Sequence, residues 1–204
     1  MSVPGRVEAA SLLLSLDPPV WFLRHARAVA EVAGWLAARI DGRGTAIDRR
    51  LVESAALLHD VDKLVPPGDP ARALPHGVGS AAWLIARGHP ELARAVAGHP
   101  VSRLVDGERF RRWSAFASRE ERIVAYADKR AGQRLESMDD RFASWRTRYP
   151  PVGAGPEDAR LTAVRARAAR LEADVCRAAG IGPAEVRRLG WTGPALRAAR
   201  EGSR

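Results

Sequence analysis

From Val20 to Ile40 the apolar residues recur at Phe22, Ala26, Val29, Ala33, Leu36 and Ile40. Steps of three and four residues place them on one stripe of an α-helix. The same spacing returns at Leu51, Ala55 and Leu58, at Ile123, Val124 and Ala127, and along Leu161, Val164, Ala168, Leu171 and Val175. Runs rich in β-branched and aromatic residues, the mark of strands, are scarce. Proline, glycine and capping residues fall between the apolar runs. Asp17-Pro18-Pro19 stops a short first helix over 5–16 and starts the next. Asp41-Gly42-Arg43-Gly44 ends that second helix, and Asp48 is placed to cap a third that runs into His59-Asp60. A Pro- and Gly-rich loop from Pro66 to Leu74 follows and is long enough to cover a site. Pro75 opens a helix through His76 to Arg87, and Pro90 starts a short one ending near Gly98. Ser118-Arg119-Glu120-Glu121 is a capping box at the head of another helix.

Toward the end the pattern changes. Ser137 starts a helix through Trp145 that Pro150-Pro151 ends, and Pro151 to Pro156 reads as a linker-like turn. A long Ala/Arg helix over 157–179 is capped by Gly180, and two short helical pieces follow, split by Gly190-Trp191-Thr192-Gly193. No period of 20–50 residues repeats. The expectation is an all-α fold. Residues 1–150 form a bundle-like domain, and 151–204 a helical extension that packs on the core or on a partner.

Composition narrows the class. A chain of 204 residues can bury one sizeable core. No stretch nears the roughly 18 apolar residues that span a bilayer. Leu12-Leu13-Leu14 is cut off by Asp17-Pro18-Pro19, so no signal peptide is expected. The single cysteine, Cys176, forms no internal disulfide, and the expected setting is a reducing cytoplasm without membrane attachment. The net charge of +9 permits either a nucleic-acid partner or the steering of small anions into a cleft. The arginines are spread along helices and interleaved with Asp and Glu, which favours a solvated surface. The densest stretch is Arg103, Arg109, Arg111, Arg112, Arg119 and Arg122, with Phe110 and Trp113 among them, and is where RNA would bind. The basic residues number 33, yet only Lys63 and Lys129 are lysines. An ammonium is a point charge that a guanidinium does not replace, so both lysines are candidates for contact with a phosphate or carboxylate.

The histidines carry the chemistry. There are 5, and His59 is followed at once by Asp60 in Leu57-Leu58-His59-Asp60-Val61-Asp62-Lys63. His25 adjoins the apolar stripe of the second helix; His76 and His99 lie downstream, and Asp128 closes the series in Tyr126-Ala127-Asp128-Lys129-Arg130. Imidazoles and carboxylates suit a borderline divalent metal, and each could come from a different helix. A carboxylate bordering an apolar helical face, as Asp128 does, needs a cation nearby. Other chemistries find little support: there is no Gly-x4-Gly-Lys phosphate loop and no nucleophile elbow, and Cys176 has no histidine near it in sequence.

The order of these residues resembles the HD-domain superfamily of metal-dependent phosphohydrolases, named for its His-Asp doublet. His59-Asp60-Val61-Asp62-Lys63 is similar to the family's His-Asp-Ile-Gly-Lys variant, with Asp62 in place of Gly, and Ala127-Asp128-Lys129 is similar to its closing aspartate segment. The resemblance covers about residues 20 to 142. It implies a helical bundle and a metal held by His25, His59, Asp60 and Asp128. His76 and His99 would serve a second ion, with Asp60 able to bridge the two. Such paired ions lie about 3.5–4 Å apart in two-metal hydrolytic sites. The implied metal is a transition ion, Mn, Fe, Co or Ni, in one or two copies. Asp62 is expected to be exposed, with orientation of a ligand ring as the alternative. His89 has no counterpart and is expected on the surface.

The expected activity is hydrolysis of a phosphate ester or anhydride by a metal-activated water, with a nucleotide as the substrate of choice. Asp60 would hold the catalytic metal, and Lys63 would neutralise charge developing on the phosphate. Lys129, Arg24, Arg130 and Arg134 lie near the motif and are candidates to grip the substrate. Three other functions fit the same residues: a di-iron oxygenase on the HD fold, a nucleotide-binding regulator with little turnover, and an RNA-directed phosphodiesterase.

Overall fold

A computed structural model describes residues 3–148 and 156–202. Among the described residues the chain forms eleven α-helices and no named strand. The helices are α1 (Arg6–Leu14), α2 (Val20–Asp41), α3 (Arg49–Leu58), α4 (Val78–Ala86), α5 (Ala93–Gly98), α6 (Ser102–Val105), α7 (Gly107–Phe116), α8 (Arg119–Arg130), α9 (Met138–Arg148), α10 (Pro156–Ala179) and α11 (Thr192–Glu201). An all-α fold is what the 3.6-residue spacing requires.

Helix α2 is the spine. It packs against α3, α8, α10 and α11. Its stripe of Phe22, Ala26, Val29, Ala33, Leu36 and Ile40 is buried almost without remainder. A side chain of that kind, taken fully from water, contributes on the order of 1.5–3 kcal/mol. Two buried glutamates lie in this core, each held by an arginine from elsewhere: Glu53 by Arg6 at 2.6 Å and Glu31 by Arg188 at 2.5 Å. A Cβ on Gly34 would meet Trp191 Nε1 at 3.0 Å, so glycine lets the Trp191 indole close onto α2. There Nε1 donates to the Ala30 carbonyl at 3.2 Å.

Capping follows the sequence. Asp48 accepts the Leu51 amide at 2.9 Å, and Ser118 accepts the Glu121 amide at 3.2 Å while Glu121 accepts the Ser118 amide in return. Helix α8, so started, packs against α2, α3, α5 and α10, which brings its last turn into the centre of the bundle.

Two features depart from the sequence reading. The helix expected from Pro75 begins at Val78, because Gly77 has φ of +81°, outside the right-handed helical region. His76 is therefore in a turn. Helices α6 and α7 were not expected at all. Asp106 caps α7 by accepting the amides of Glu108 and Arg109 at 2.9 and 3.0 Å, but Phe110 is the one buried residue of α7, so its apolar pattern is too thin to read. The proposed helix end at Pro150-Pro151 and most of the linker-like turn lie outside the described residues. Helix α10 packs on α8, α6 and α2, and α11 packs on α1 and α2.

Candidate metal centre

Five elements deliver the polar cluster. His25 comes from the first turns of α2 and Asp128 from the last turn of α8. His59 is the C-terminal cap of α3, and Asp60 follows it. His99 is the C-terminal cap of α5, and His76 precedes Gly77 at the head of α4. His59, Asp60 and His99 are buried, while His25 and Asp128 each expose 14 % of their side chains and His76 39 %.

Each imidazole has one nitrogen fixed by an oxygen that can only accept. Nδ1 of His59 lies 2.8 Å from the Ala56 carbonyl, and Nδ1 of His99 lies 2.6 Å from the Val96 carbonyl. In both, a histidine at a helix end turns back to satisfy a carbonyl of its own last turn. Nδ1 of His25 faces the Gly132 carbonyl at 2.8 Å, and Nδ1 of His76 faces the Asp62 carboxylate at 3.0 Å. All four Nδ1 atoms must then carry a proton, which leaves Nε2 as a lone pair in each ring when it is neutral.

Those lone pairs converge. Nε2 of His25 and His59 are 3.2 Å apart, as are Nε2 of His76 and His99 at 3.3 Å. Two lone pairs cannot bond one another. Between the two pairs stands the Asp60 carboxylate. Its Oδ2 is 3.4 Å from His25 and 3.5 Å from His59; its Oδ1 is 3.2 Å from both His76 and His99. Asp128 Oδ1 completes the first pair at 3.6 Å from His25 and from His59. Asp60 Oδ1 is buried and has no hydrogen-bond partner, a costly arrangement unless a cation meets it. The residues fit a divalent metal. His25, His59 and Asp128 make one ligand-competent group, His59, Asp60 and His99 a second, and Asp60, Asp62 and His76 a third.

The electrostatics favour ligation by Asp60, Asp128 and His99. Burial works against the charge of Asp60, yet the surrounding imidazoles of His59, His25, His76 and His99 outweigh it and hold the carboxyl well below its usual range. Asp128 is likewise held down against burial by Lys129, His59 and His99. Burial drives His99 down to about 4, so it stays neutral and able to ligate. Burial opposes the charging of His76 as well, but Asp60 and Asp62 overcome it and raise it to about 9, so its Nε2 carries a proton near neutral pH that a metal would have to displace. His25 is also raised, Asp60 and Asp128 overriding its burial.

Of the residues expected to touch substrate, three line the open cleft beside the cluster. Arg24, Lys63 and Arg134 border a cavity of about 750 Å³, together with His25, Asp60 and Asp128. Lys63 is half-exposed and donates to Asp60 Oδ2 at 2.5 Å from the 3₁₀ turn Val61–Lys63. The other two, Lys129 and Arg130, do not face the cleft. Lys129 is buried, donating to the His99 carbonyl at 2.6 Å and to Asp128 Oδ2 at 2.7 Å; it anchors Asp128. Arg130 is buried too, donating to Tyr126, Glu172 and the Glu136 and Pro183 carbonyls, so it ties α8 to α10. Asp62, expected exposed, is buried: Ser80 Oγ donates no bond to its side chain but accepts its amide at 3.0 Å, and its carboxylate orients His76 and accepts the Gly77 amide at 2.7 Å. His89, expected on the surface, is buried in the turn before Pro90, its Nδ1 without a hydrogen-bond partner. In the Arg103–Arg122 stretch, Arg122 pairs with Asp174 at 2.5 Å, Arg112 with Glu108 at 3.4 Å, and Arg103 donates to the Gly98 and Ala97 carbonyls.

The sequence reading also missed part of the cleft. Trp21, Glu136, Arg141 and Trp145 line it, and no motif pointed to them. Only the place of Trp21, four residues before His25 and so on the same helical face, was there to be read.

An all-helical bundle whose helix ends converge on four imidazoles and two carboxylates defines a protein with a histidine–aspartate metal site. The chain belongs to the HD-domain family, whose model it matches over residues 22–132. Members are typically metal-dependent hydrolases. No curated protein and no solved structure matches the chain. Among the described residues no helix is long and apolar enough to cross a membrane.

Proposed function

We propose that the protein hydrolyses a phosphate ester or anhydride, with a small nucleotide as substrate. The observation that carries this reading is the Asp60 carboxylate, set between two pairs of imidazole lone pairs with one oxygen toward each. His25, His59, Asp60 and Asp128 would hold one divalent transition ion, and Asp60, His76 and His99 a second. Ions so held supply Lewis acidity, lowering the pKa of a water and drawing charge from a phosphate.

The chain's own groups do the rest. Lys63 offers an ammonium at the mouth of the cluster, where it can meet a phosphate oxygen. Arg24 and Arg134 border the same cavity and can hold a second oxygen through paired N–H donors. Lys129 keeps Asp128 ionised and aimed. The Gly132, Ala56 and Val96 carbonyls and the Asp62 carboxylate keep four rings in one tautomer.

The test is metal analysis of the purified protein joined to a panel of phosphomonoesters, phosphodiesters and nucleotides assayed with Mn, Fe, Co and Ni. Bound metal with turnover of a phosphate compound is expected. Bound iron with oxygen consumption and no phosphate release would replace this reading with an oxygenase.

A further inference from the structure

The cleft does not end at the metal ligands. It continues past Gly132 to Glu136, Arg141, Ser144 and Trp145, on the turn before α9 and on α9 itself. A volume of about 750 Å³ is in the range of pockets that enclose a whole small ligand.

Arg141 is an anomaly in this protein. It is 8 % exposed, and among the described residues its guanidinium makes no hydrogen bond. The nearest carboxylate, Glu136 Oε2, is 3.8 Å away. Other arginines paired with a glutamate of the interior come closer: Arg188–Glu31 at 2.5 Å, Arg6–Glu53 at 2.6 Å and the buried Arg130–Glu172 at 3.2 Å. Arg141 Nε and Glu136 Oε2 are both buried and both without a hydrogen-bond partner, the two residues meeting only as a long ion pair, while both side chains border the cleft. Buried donors and acceptors are nearly always satisfied, so an unsatisfied carboxylate and guanidinium that border a cleft can gain by turning toward a ligand there. The indole of Trp145 lies beside them, 5.2 Å from the Arg141 guanidinium, and packs edge-on against buried Phe142 at 5.0 Å, which steadies the ring.

We propose that Glu136, Arg141 and Trp145 form a base-recognition subsite that takes guanine. A carboxylate wants parallel donors and a guanidinium wants an acceptor next to them. Guanine offers both on one edge: N1–H and N2–H for Glu136, with O6 for Arg141. Adenine, cytosine and uracil each bring only one donor group to a carboxylate. Trp145 supplies the flat apolar surface on which a base stacks. The proposal rests on the phosphohydrolase reading only for the position of the phosphate, at the metal end of the same cleft.

Two measurements test it. First, kcat/KM is compared for the 5′-monophosphates of guanosine, adenosine, cytidine and uridine and for ribose 5-phosphate. The guanine nucleotide should lead by about 10-fold or more, in line with one bidentate base contact. Glu136→Gln, close in shape and on a partly exposed side chain, should bring the four nucleotides within about 3-fold without changing kcat/KM for ribose 5-phosphate. Second, equilibrium dialysis of guanosine and adenosine against metal-stripped protein needs no turnover. Guanosine should be retained preferentially, and Trp145→Leu should abolish that retention. Equal handling of the four nucleotides, or equal retention of the two nucleosides, overturns the subsite. Preferential retention of guanosine by a protein that cleaves no phosphate compound keeps the subsite and removes the phosphohydrolase reading.

Discussion

The Asp62 carboxylate holds His76 by its Nδ1–H at 3.0 Å, and it is the one side chain that orients an imidazole of the cluster; the other three rings are fixed by backbone carbonyls. The same carboxylate accepts the Gly77 amide at 2.7 Å, so it sets both the ring and the turn that carries it. Asp62→Ala should therefore weaken metal binding at the His76–His99 pair by roughly 10- to 100-fold, the usual cost of losing such a support. Binding at the His25–His59 pair should persist. Calorimetric metal titration resolves the two; an unchanged second binding step would show that Asp62 only shapes the turn.

Asp60→Ala should remove metal and activity together. Among the described residues Asp60 is the one carboxylate that reaches both imidazole pairs, and its loss leaves the His76–His99 pair without a carboxylate at Nε2 and the His25–His59 pair with Asp128 alone. Elemental analysis after gel filtration decides it: full metal content in the variant contradicts the bridging role.

Lys63→Ala should keep the metal and slow turnover. Its ammonium is 45 % exposed and faces the cleft, so it can leave Asp60 Oδ2 for a phosphate oxygen. A charged contact made in the transition state is worth about 2.7–4 kcal/mol, so kcat should fall roughly 100- to 1000-fold. Wild-type kcat and KM would make Lys63 a structural partner of Asp60.

Arg130→Met should leave metal stoichiometry intact and lower stability. The buried guanidinium answers Glu172 and the Tyr126 hydroxyl at once, and removing one partner of a buried pair costs on the order of 3–5 kcal/mol. At about 2–4 °C per kcal/mol for a chain of this size, Tm should drop by roughly 6–20 °C. A variant that melts with the wild type but fails to turn over would return Arg130 to the substrate.

The sequence revealed the helices that carry long apolar stripes, α2, α3, α8 and α10, and the six side chains that meet at the cluster. It hid what depends on neighbours. Lys129 and Arg130 read as charges free to grip a substrate beside the motif, and only packing of α8 against α5 and α10 shows them buried. Asp62 looks exposed until the loop before α4 folds over it. Arg141 and Glu136 carry no motif at all; their interest lies in bonds not made, which no spacing encodes.

Glu31 has a longer reach than its place on α2 suggests. Its carboxylate is buried, and Arg188 and Thr192 supply its hydrogen bonds across more than a hundred and fifty residues of chain. Kinship and foldability thus draw different borders through this protein. The family match ends at residue 132, but the helix that presents His25 has its buried Glu31 held by partners from the far end of the chain. A fragment cut to residues 22–132 would need an apolar residue at 31, or another cation to answer Glu31.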